Sequence, residues 1–183
     1  MNYWLMQLQK ENKPDHFESI NRLLKSGFIG IDLANGEAFE NDSEANLVDR
    51  LRESQISNIS LVAEVNKKLV GHIFFSPMTI DKYDMRIAGL APMAVLPEYQ
   101  NKRIGSALVE EGLEQCKKEG YKAVAVLGHP NYYPKFGFVP STRYDLISEY
   151  NVPKEVFMVK ELEIGSLADI SGVLKYHEEF SRL

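Results

Sequence analysis

The sequence predicts a mixed α/β fold, an α+β arrangement in which one central sheet of about six to seven strands carries helices on both faces. Three observations predict it. Apolar, strand-like segments recur up to residue 95, an amphipathic stretch with helical period follows, and a near-continuous apolar run of strand length comes next. Further strand-like segments follow that run. This order of strands, helix, buried strand and more strands is typical of a sheet covered on both faces.

The first part of the chain predicts one strand and two helices. Residues Tyr3–Gln9 mix apolar and polar side chains with aromatic bulk, which predicts a first strand. Residues Lys13–Phe28 carry apolar side chains at helical spacing, which predicts a helix. Two glycines and several carboxylates then predict a mobile loop over Ile29–Asp42. Ser43 is a suitable N-cap for a second helix.

Three strands, a long helix and a buried strand are expected in the centre of the chain. Short polar connections predict that hairpins join the three strands. The helix is expected from about Gln100 to Glu119, with Gly120 as its left-handed stop and Cys116 as a structural cysteine on its inward side. The strands of the centre and the last long strand are expected at Ile59–Val65, Lys68–Ile80, Met85–Val95, Lys122–Gly128 and Glu155–Leu162.

Composition and charge narrow the class of protein. The 183 residues are enough for one domain with a sizeable core, so we expect a single domain over residues 1–183. The net charge of −5 argues against general binding to nucleic acid or to an anionic membrane. The sequence has one cysteine, no signal-peptide pattern and no apolar run long enough to span a membrane. We therefore expect a soluble cytoplasmic protein.

The segment Gln100–Ser106 predicts an anion site, because it joins a strand to the N-terminus of the long helix. The N–H groups of a helix N-terminus attract an anion, and Lys102 and Arg103 add positive charge beside them. Gly105 has no Cβ and so lets a ligand approach the backbone, while Ser106 offers a hydroxyl. The spacing is that of neither a P-loop nor a dinucleotide fingerprint. The alternative is an ordinary helix whose first turn carries exposed basic residues.

Two motifs resemble those of the GNAT superfamily of N-acetyltransferases. The superfamily loop Arg/Gln-x-x-Gly-x-Gly/Ala corresponds to Gln100–Gly105, with Arg103 at the first glycine position, where a helical or bridge conformation of Arg103 is expected. The second motif, Tyr-x-x-x-Gly-Phe, is matched in full by Tyr133–Phe138, and the resemblance covers about Leu5–Leu162. A looser likeness to a bacterial subgroup of predicted acetyltransferases rests on Gly71-His72-Ile73 and Phe157-Met158-Val159.

The resemblance implies that the anion is the diphosphate of acetyl-CoA, used as a cosubstrate, and it implies no metal. In the superfamily the pantetheine arm lies along the fourth strand, and a β-bulge splays the fourth strand from the fifth. Pro92 suits such a bulge because it lacks an N–H, and the N–H near Val95 would meet the oxyanion. The residues implied in cofactor binding are Met93, Ala94, Val95, Gln100, Asn101, Lys102, Arg103, Ile104, Gly105, Ser106 and Asn131.

The resemblance also implies a general acid and leaves the base open. Tyr133 is placed by its motif to give a proton or a hydrogen bond to the leaving thiolate. An acceptor amine with a pKa of about 10.4 must lose a proton before it attacks. Some superfamily members use a glutamate on the fourth strand, where this chain has none. His72 is the first candidate base, with His129 and Glu98 as alternatives, and a packed sheet histidine is the other role open to His72.

Acidic side chains predict the chemistry of the acceptor. In the superfamily the acceptor site is built from two connections, which here are Ile29–Asp42 and Ser141–Pro153. Their carboxylates suit a cationic primary amine on a small molecule or a peptide, although a solvated acidic loop explains them equally well. A homodimer is compatible with the resemblance. The alternative functions are a catalytically idle acyl-CoA-binding sensor and an interaction module without a cofactor. The carboxylates are Asp32, Glu37, Glu40, Asp42, Asp145 and Glu149.

Overall fold

The computed structural model of the protein describes residues 6–10, 19–20, 41–54 and 56–182. Most of the expected helix Lys13–Phe28 and most of the expected loop Ile29–Asp42 lie outside these residues. Residues 19 and 20, within the expected helix, are helical. The next helix begins at Asn41, two residues before the expected cap and inside the segment expected to be a loop.

Two α-helices and nine strands have defined bounds in the described part of the chain. The long helix begins at Ile104 rather than near residue 100, because the preceding residues form a turn of their own. The helices are α1 (Asn41–Glu53) and α2 (Ile104–Lys118), and the strands are β1 (Met6–Lys10), β2 (Ile59–Val65), β3 (Lys68–Ile80), β4 (Tyr83–Val95), β5 (Ala123–Leu127), β6 (Val139–Pro140), β7 (Leu146–Ser148), β8 (Phe157–Glu161) and β9 (Gly172–Lys175).

The strands form one mixed sheet. Its main path has the order β1-β2-β3-β4-β5-β8-β6, and the short strands β9 and β7 join it through β3. The β4–β5 and β7–β9 pairs are parallel, and the other pairs are antiparallel. The seven strands of the main path confirm the expected mixed sheet. Strand β9 lies in the tail after residue 162, where no strand was expected.

Each face of the sheet packs against a helix, as expected. On one face, Leu47 and Leu51 of α1 are buried in a cluster that also contains Tyr176. On the other face, the apolar side of α2 is buried in a cluster that contains Tyr133. Cys116 is fully buried in this second cluster, and burial raises the pKa of its thiol to about 12. The thiol therefore stays protonated at neutral pH and packs as a structural cysteine.

Strands β4 and β5 separate partway along β4. They pair only as far as Leu90 opposite Val126, yet β4 continues to Val95. The register between β3 and β4 shifts at the same place, so that Ala91–Pro92 together lie opposite the single residue Phe74, which is a β-bulge. The Ala91–Pro92 peptide bond is cis. The expected bulge and the expected splay of these two strands are both confirmed, and we call the gap between them the split.

Gly112 lies where α2 crosses the sheet, and the Phe75 ring occupies the space beside it. A Cβ at position 112 would lie 2.3 Å from Phe75 Cε2, and Phe75 is itself 1% exposed. We expect Gly112→Ala to lower the free energy of unfolding by about 1–3 kcal/mol, because overpacking outweighs the ~1 kcal/mol gain in helix propensity. Urea unfolding measures the change. Glu110→Ala, at an exposed position of α2, is the control, and a Gly112→Ala midpoint at or above the native one would contradict the overlap.

Candidate active site

The connection between β4 and α2 places two left-handed residues before the helix. Pro97–Tyr99 form a 3-10 turn, and Asn101 and Arg103 then have φ of 58° and 66°. The expectation of a helical or bridge conformation at Arg103 is wrong, since its φ of 66° and ψ of 5° are left-handed. The superfamily motif has glycine at this position, and a left-handed conformation costs a non-glycine residue about 1–2 kcal/mol. The loop thus keeps the motif's backbone shape without the motif's glycine.

The first turn of α2 offers backbone amides to an anion. Among the described residues the helix begins without a side-chain cap. Ala107 N–H donates to Arg103 O at 3.0 Å, which is the first bond of the helical ladder. The N–H groups of Ile104, Gly105 and Ser106 precede that bond, so they have no helical carbonyl as partner. Together with the positive end of the helix dipole they form an anion seat.

Polar side chains of this connection hold the anion seat in place. Gln100 Nε2 donates to Val95 O at 3.0 Å, which ties the connection to the end of β4. Lys102 Nζ donates to Glu98 O at 2.7 Å, which ties the connection to itself. The residues Asn101, Lys102 and Arg103 are exposed. The seat therefore consists of backbone amides with cationic side chains at its rim.

Beyond the bulge, β4 presents alternate residues to the split. Leu96 N–H donates to Val70 O at 2.9 Å, so these two residues are a hydrogen-bonded antiparallel pair. Because such pairs alternate along a ladder, the backbone groups of Ala94 point to β3. Those of Met93 and Val95 point away from β3. Their backbone groups, rather than those of Ala94, line the split.

Gly105 lies where α2, β4 and Tyr132 meet. A Cβ at position 105 would lie 2.8 Å from Tyr132 Oη and 3.7 Å from side-chain atoms of Met93 and Val95. Burial raises the pKa of the Tyr132 hydroxyl, and a hydrogen bond with the Ser106 side chain opposes that rise. The missing side chain at position 105 thus leaves the backbone of the anion seat accessible from the split.

Tyr133 opens a 3-10 turn and lies buried against the end of β5. Its ring packs on Gly128, where a Cβ would lie 2.1 Å from Tyr133 Cε2. The rings of Tyr132 and Phe138 contact it edge-on, with centroids at 5.1 Å and 5.6 Å. Burial raises the pKa of the Tyr133 hydroxyl well above its ordinary value, and the neighbouring Tyr132 adds to the rise. The phenol is therefore protonated and neutral at physiological pH.

Tyr176, the residue after β9, brings a second phenol to the split. Its hydroxyl accepts the Leu127 N–H at 3.3 Å. Gly128 N–H donates to Val156 O on the β8 side, so by alternation the Leu127 N–H points to the β4 side. The Tyr176 ring fills the space beside Gly89, where a Cβ would lie 2.6 Å from Tyr176 Cε1. The sequence did not predict a role for Tyr176, because nothing in the residues after 162 indicates which strand they pair with.

The two phenols lie on opposite faces of the sheet. Tyr133 belongs to the cluster under α2 and Tyr176 to the cluster under α1, and each is 7% exposed. Burial raises the pKa of the Tyr176 hydroxyl, and negative charge on Tyr133 would raise it further. Tyr133 therefore lies beside the split on the α2 face of the sheet and Tyr176 on the α1 face, and both phenols are protonated.

His72 is packed inside the sheet. Its Nε2 lies 2.8 Å from Ser60 Oγ, and its ring lies 6.2 Å from the Phe74 ring between centroids. The side chain is 0% exposed, and burial, with the positive charge of Arg52, lowers the pKa of His72 to about 3. The imidazole is neutral at pH 7 but binds a proton far more weakly than a free imidazole. These features are those of a packed histidine, and a role as base stays a prediction.

The other candidate bases lie at the surface. The Glu98 carboxylate binds Lys68 Nζ at 3.0 Å, and hydrogen bonds from its own backbone and from Lys68 lower the pKa of Glu98. A lowered pKa makes this carboxylate a weaker base. His129 and Asn131 are exposed in the turn after β5, and His129 O accepts the Tyr132 N–H at 3.0 Å. Contacts of these two side chains with a ligand stay predictions.

Of the two expected acceptor segments, the structure describes Ser141–Pro153. Glu149 N–H donates to Leu174 O at 3.2 Å, and Glu149 Oε1 accepts the Tyr176 N–H at 2.5 Å. This segment is therefore attached to the strand that carries the second phenol. The carboxylates Asp32, Glu37 and Glu40 of the other segment lie outside the described residues.

The described ranges contain neither a metal-binding cluster nor a membrane-spanning helix. No group of three or more His, Cys, Asp or Glu residues in them is arranged to hold a metal ion. No helix in the same ranges has the length and apolar character that a membrane crossing requires.

Comparisons with known proteins agree with this geometry. A family model described as acetyltransferase (GNAT) domain matches residues 57–140. The uncharacterized N-acetyltransferase YhbS of Escherichia coli K12 is 36% identical over 154 residues, which cover 84% of this chain and 92% of that protein. The crystal structure of Escherichia coli YhbS in complex with CoA superposes with a TM-score of 0.88 at 31% identity, covering 100% of this chain and 96% of that one. A GNAT family acetyltransferase from Brucella melitensis in complex with acetyl-CoA has a TM-score of 0.76 at 30% identity, covering 97% and 99%.

The matched family range contains the main parts of the candidate site. It runs from just before β2 to the end of β6, so it includes the split, the anion seat and Tyr133. The Escherichia coli relative extends the likeness over most of the chain. On the shared sequence, the shared fold and the split sheet, this chain belongs to the GNAT family of acetyltransferases.

Proposed function

We propose that the protein is an acetyl-CoA-dependent N-acetyltransferase that moves an acetyl group to the primary amine of a small molecule or peptide. The observation that carries this proposal is the split between β4 and β5, with the anion seat beside β4 and a buried phenol against the end of β5. The YhbS structure contains CoA and the Brucella melitensis structure contains acetyl-CoA. The backbone N–H groups of the anion seat can donate hydrogen bonds to a diphosphate, and the phenol of Tyr133 can donate one to a leaving thiolate.

The described residues fit the two polar parts of acetyl-CoA. The amides of Ile104–Ser106 suit the diphosphate, with Lys102 and Arg103 adding charge at the rim. The backbone groups of Met93 and Val95 that face the split suit the amides of the pantetheine arm, which then pairs like an added strand. Further contacts from Gln100, Asn101 and Asn131 are part of the same proposal, whereas the expected contact from the backbone of Ala94 is dropped, because its groups pair with β3.

The proposed reaction joins the acceptor nitrogen directly to the acetyl carbon. The lone pair of the neutral amine forms the C–N bond, the C–S bond breaks with its electron pair on sulfur, and one proton moves from nitrogen to sulfur. The Val95 N–H suits the oxyanion that forms at the carbonyl. The Tyr133 hydroxyl is the proposed hydrogen-bond donor to the leaving sulfur. Its raised pKa lies above the value of about 8.5 for a thiol, so complete proton transfer from the phenol to the thiolate is unfavourable. Tyr133 therefore acts first as a hydrogen-bond donor.

In this mechanism the amine loses its proton to water. An alkylammonium with a pKa of about 10.4 leaves roughly one molecule in 2,500 neutral at pH 7. His72 is too weak a base to change this, since burial lowers its pKa to about 3. Glu98 is weakened by its bonds to the backbone and to Lys68. The supply of neutral amine thus follows the pH of the solution.

The pH dependence of kcat/KM tests whether the amine loses its proton to water and whether Tyr133 is the acid. We expect kcat/KM for an alkylamine with a pKa of about 10.4, such as Nα-acetyl-lysine, to rise almost tenfold per unit from pH 6.5 to 9, because the neutral amine fraction rises at that rate. No fall is expected below pH 10, because a raised pKa means that Tyr133 loses its proton only at still higher pH. Thiol release at saturating acetyl-CoA measures the profile. A flat profile from pH 6.5 to 8 would reveal a side-chain base, and a fall below pH 9 would assign the acid to another group.

Two measurements test the function itself. Titration calorimetry measures acetyl-CoA binding, and a thiol reagent then measures CoA release with spermidine, Nα-acetyl-lysine, kanamycin and an alanyl dipeptide. Binding with amine-dependent release is the expected result. Binding with no release on any amine would favour an acyl-CoA sensor, and no binding would favour an interaction module.

A further inference from the structure

We propose that the Tyr176 hydroxyl binds the acceptor amine on the α1 face of the split, so that the amine attacks from the face opposite to Tyr133. This inference rests on the proposed acetyl transfer and adds to it a residue that contacts the acceptor. Tyr133 then serves the sulfur, and Tyr176 serves the nitrogen.

The position of the hydroxyl is the first argument. The Leu127 N–H points to the β4 side, but β4 pairs with β5 only as far as Val126. The Tyr176 hydroxyl lies 3.3 Å from the Leu127 nitrogen, beside the last residue pair before β4 and β5 separate. The phenol of Tyr176, the residue after β9, thus lies at the point where the gap between β4 and β5 begins. The proposed thioester site is the same gap.

The hydrogen-bonding capacity of the hydroxyl is the second argument. A phenol has one O–H donor and two lone pairs, and the Leu127 N–H takes one lone pair. The second lone pair accepts an N–H of the neutral acceptor amine, whose own lone pair stays available for the acetyl carbon. The Tyr176 hydroxyl neither gains nor loses a proton overall. Burial raises its pKa, which keeps it a neutral phenol throughout.

The support of the ring is the third argument, because an orienting group must itself be held in place. The Tyr176 ring lies 4.8 Å from the Phe180 ring and 6.2 Å from the Tyr150 ring between centroids. Its backbone N–H donates to Glu149 Oε1 at 2.5 Å. Glu149 is exposed, so its carboxylate adds negative charge beside the same strand, which suits an acceptor that arrives as a cation.

Tyr176→Phe is the test, since it removes only the hydroxyl. With the panel amine that wild type turns over fastest, we expect kcat/KM to fall about 10- to 100-fold, mainly through a higher KM for the amine. Calorimetry should give acetyl-CoA affinity within about twofold of wild type. Tyr133→Phe should change the other kinetic constant: kcat falls, and the KM for the amine stays unchanged.

Tyr121→Phe is the matched control. Tyr121 is also buried, at 4% exposure, and its hydroxyl donates to the Ser57 carbonyl at 3.5 Å, at the other end of β5. Its loss should leave both kinetic constants unchanged.

The outcomes separate this inference from the proposed function. If wild type is active and Tyr176→Phe keeps the native amine KM, the inference is overturned and the acetyl transfer stands. If Tyr176→Phe weakens acetyl-CoA binding as much as it weakens kcat/KM, Tyr176 is only structural and the inference is again overturned. If wild type releases no thiol with any amine, the acetyl transfer fails first and the inference fails with it.

Discussion

Replacing Tyr133 with phenylalanine is expected to lower kcat by about 10- to 1000-fold, while acetyl-CoA affinity changes little. The ring packs on Gly128 and contacts Tyr132 and Phe138, and phenylalanine keeps all of these contacts. Only the hydroxyl that suits the leaving sulfur is lost. Steady-state thiol release at saturating acetyl-CoA and amine measures kcat, and calorimetry measures the affinity.

A second variant separates the chemistry of Tyr133 from its position. A Cβ at Gly128 would lie 2.1 Å from the Tyr133 ring, so Gly128→Ala must displace the phenol without removing it. We expect it to lower kcat as Tyr133→Phe does, whereas Tyr121→Phe should not. Native activity in Tyr133→Phe would remove this phenol from the mechanism.

Replacing Gly105 with valine is expected to weaken acetyl-CoA binding about 100-fold, which is about 2.7 kcal/mol. A Cβ at this position already lies 2.8 Å from Tyr132 Oη, so the larger valine side chain must displace Tyr132 or shift the first turn of α2. In the proposed complex, that shift moves the amides of Ile104–Ser106 away from the diphosphate. Calorimetry with acetyl-CoA measures the loss, and a thermal melt shows whether the variant is folded.

A graded series tests the cause of that loss. Gly105→Ala should weaken binding less than valine, and Gly105→Ala combined with Tyr132→Phe should recover part of the loss, because the clashing hydroxyl is gone. Native affinity in Gly105→Val would place the diphosphate away from α2.

Most of the fold could be predicted because its signals are local. The apolar run over Lys122–Gly128 marked a buried strand, and the periodicity after residue 103 marked α2. Pro92 marked the bulge, since proline cannot donate to a ladder. The split and the role of Tyr133 were implied by the family resemblance alone.

The remaining parts depend on contacts between distant segments. The left-handed conformation of Arg103 was missed, because a basic residue carries no signal for it and the fit of the loop between β4 and α2 imposes it. Tyr176 was missed because its strand joins β3 and β7, which its own sequence does not show. The position of His72 in the middle of a strand suggested a base. Its surroundings, which include Arg52 of α1 and Ser60 of β2, suit packing instead, and the sequence of its own strand does not show them.

The attachment of β9 has a consequence for how the enzyme matures. Residues 57–140 hold the anion seat and Tyr133, whereas Tyr176 reaches the split only after β9 has paired with β3. On a ribosome the residues of the anion seat and Tyr133 therefore emerge before Tyr176, so the two sides of the split are completed at different times.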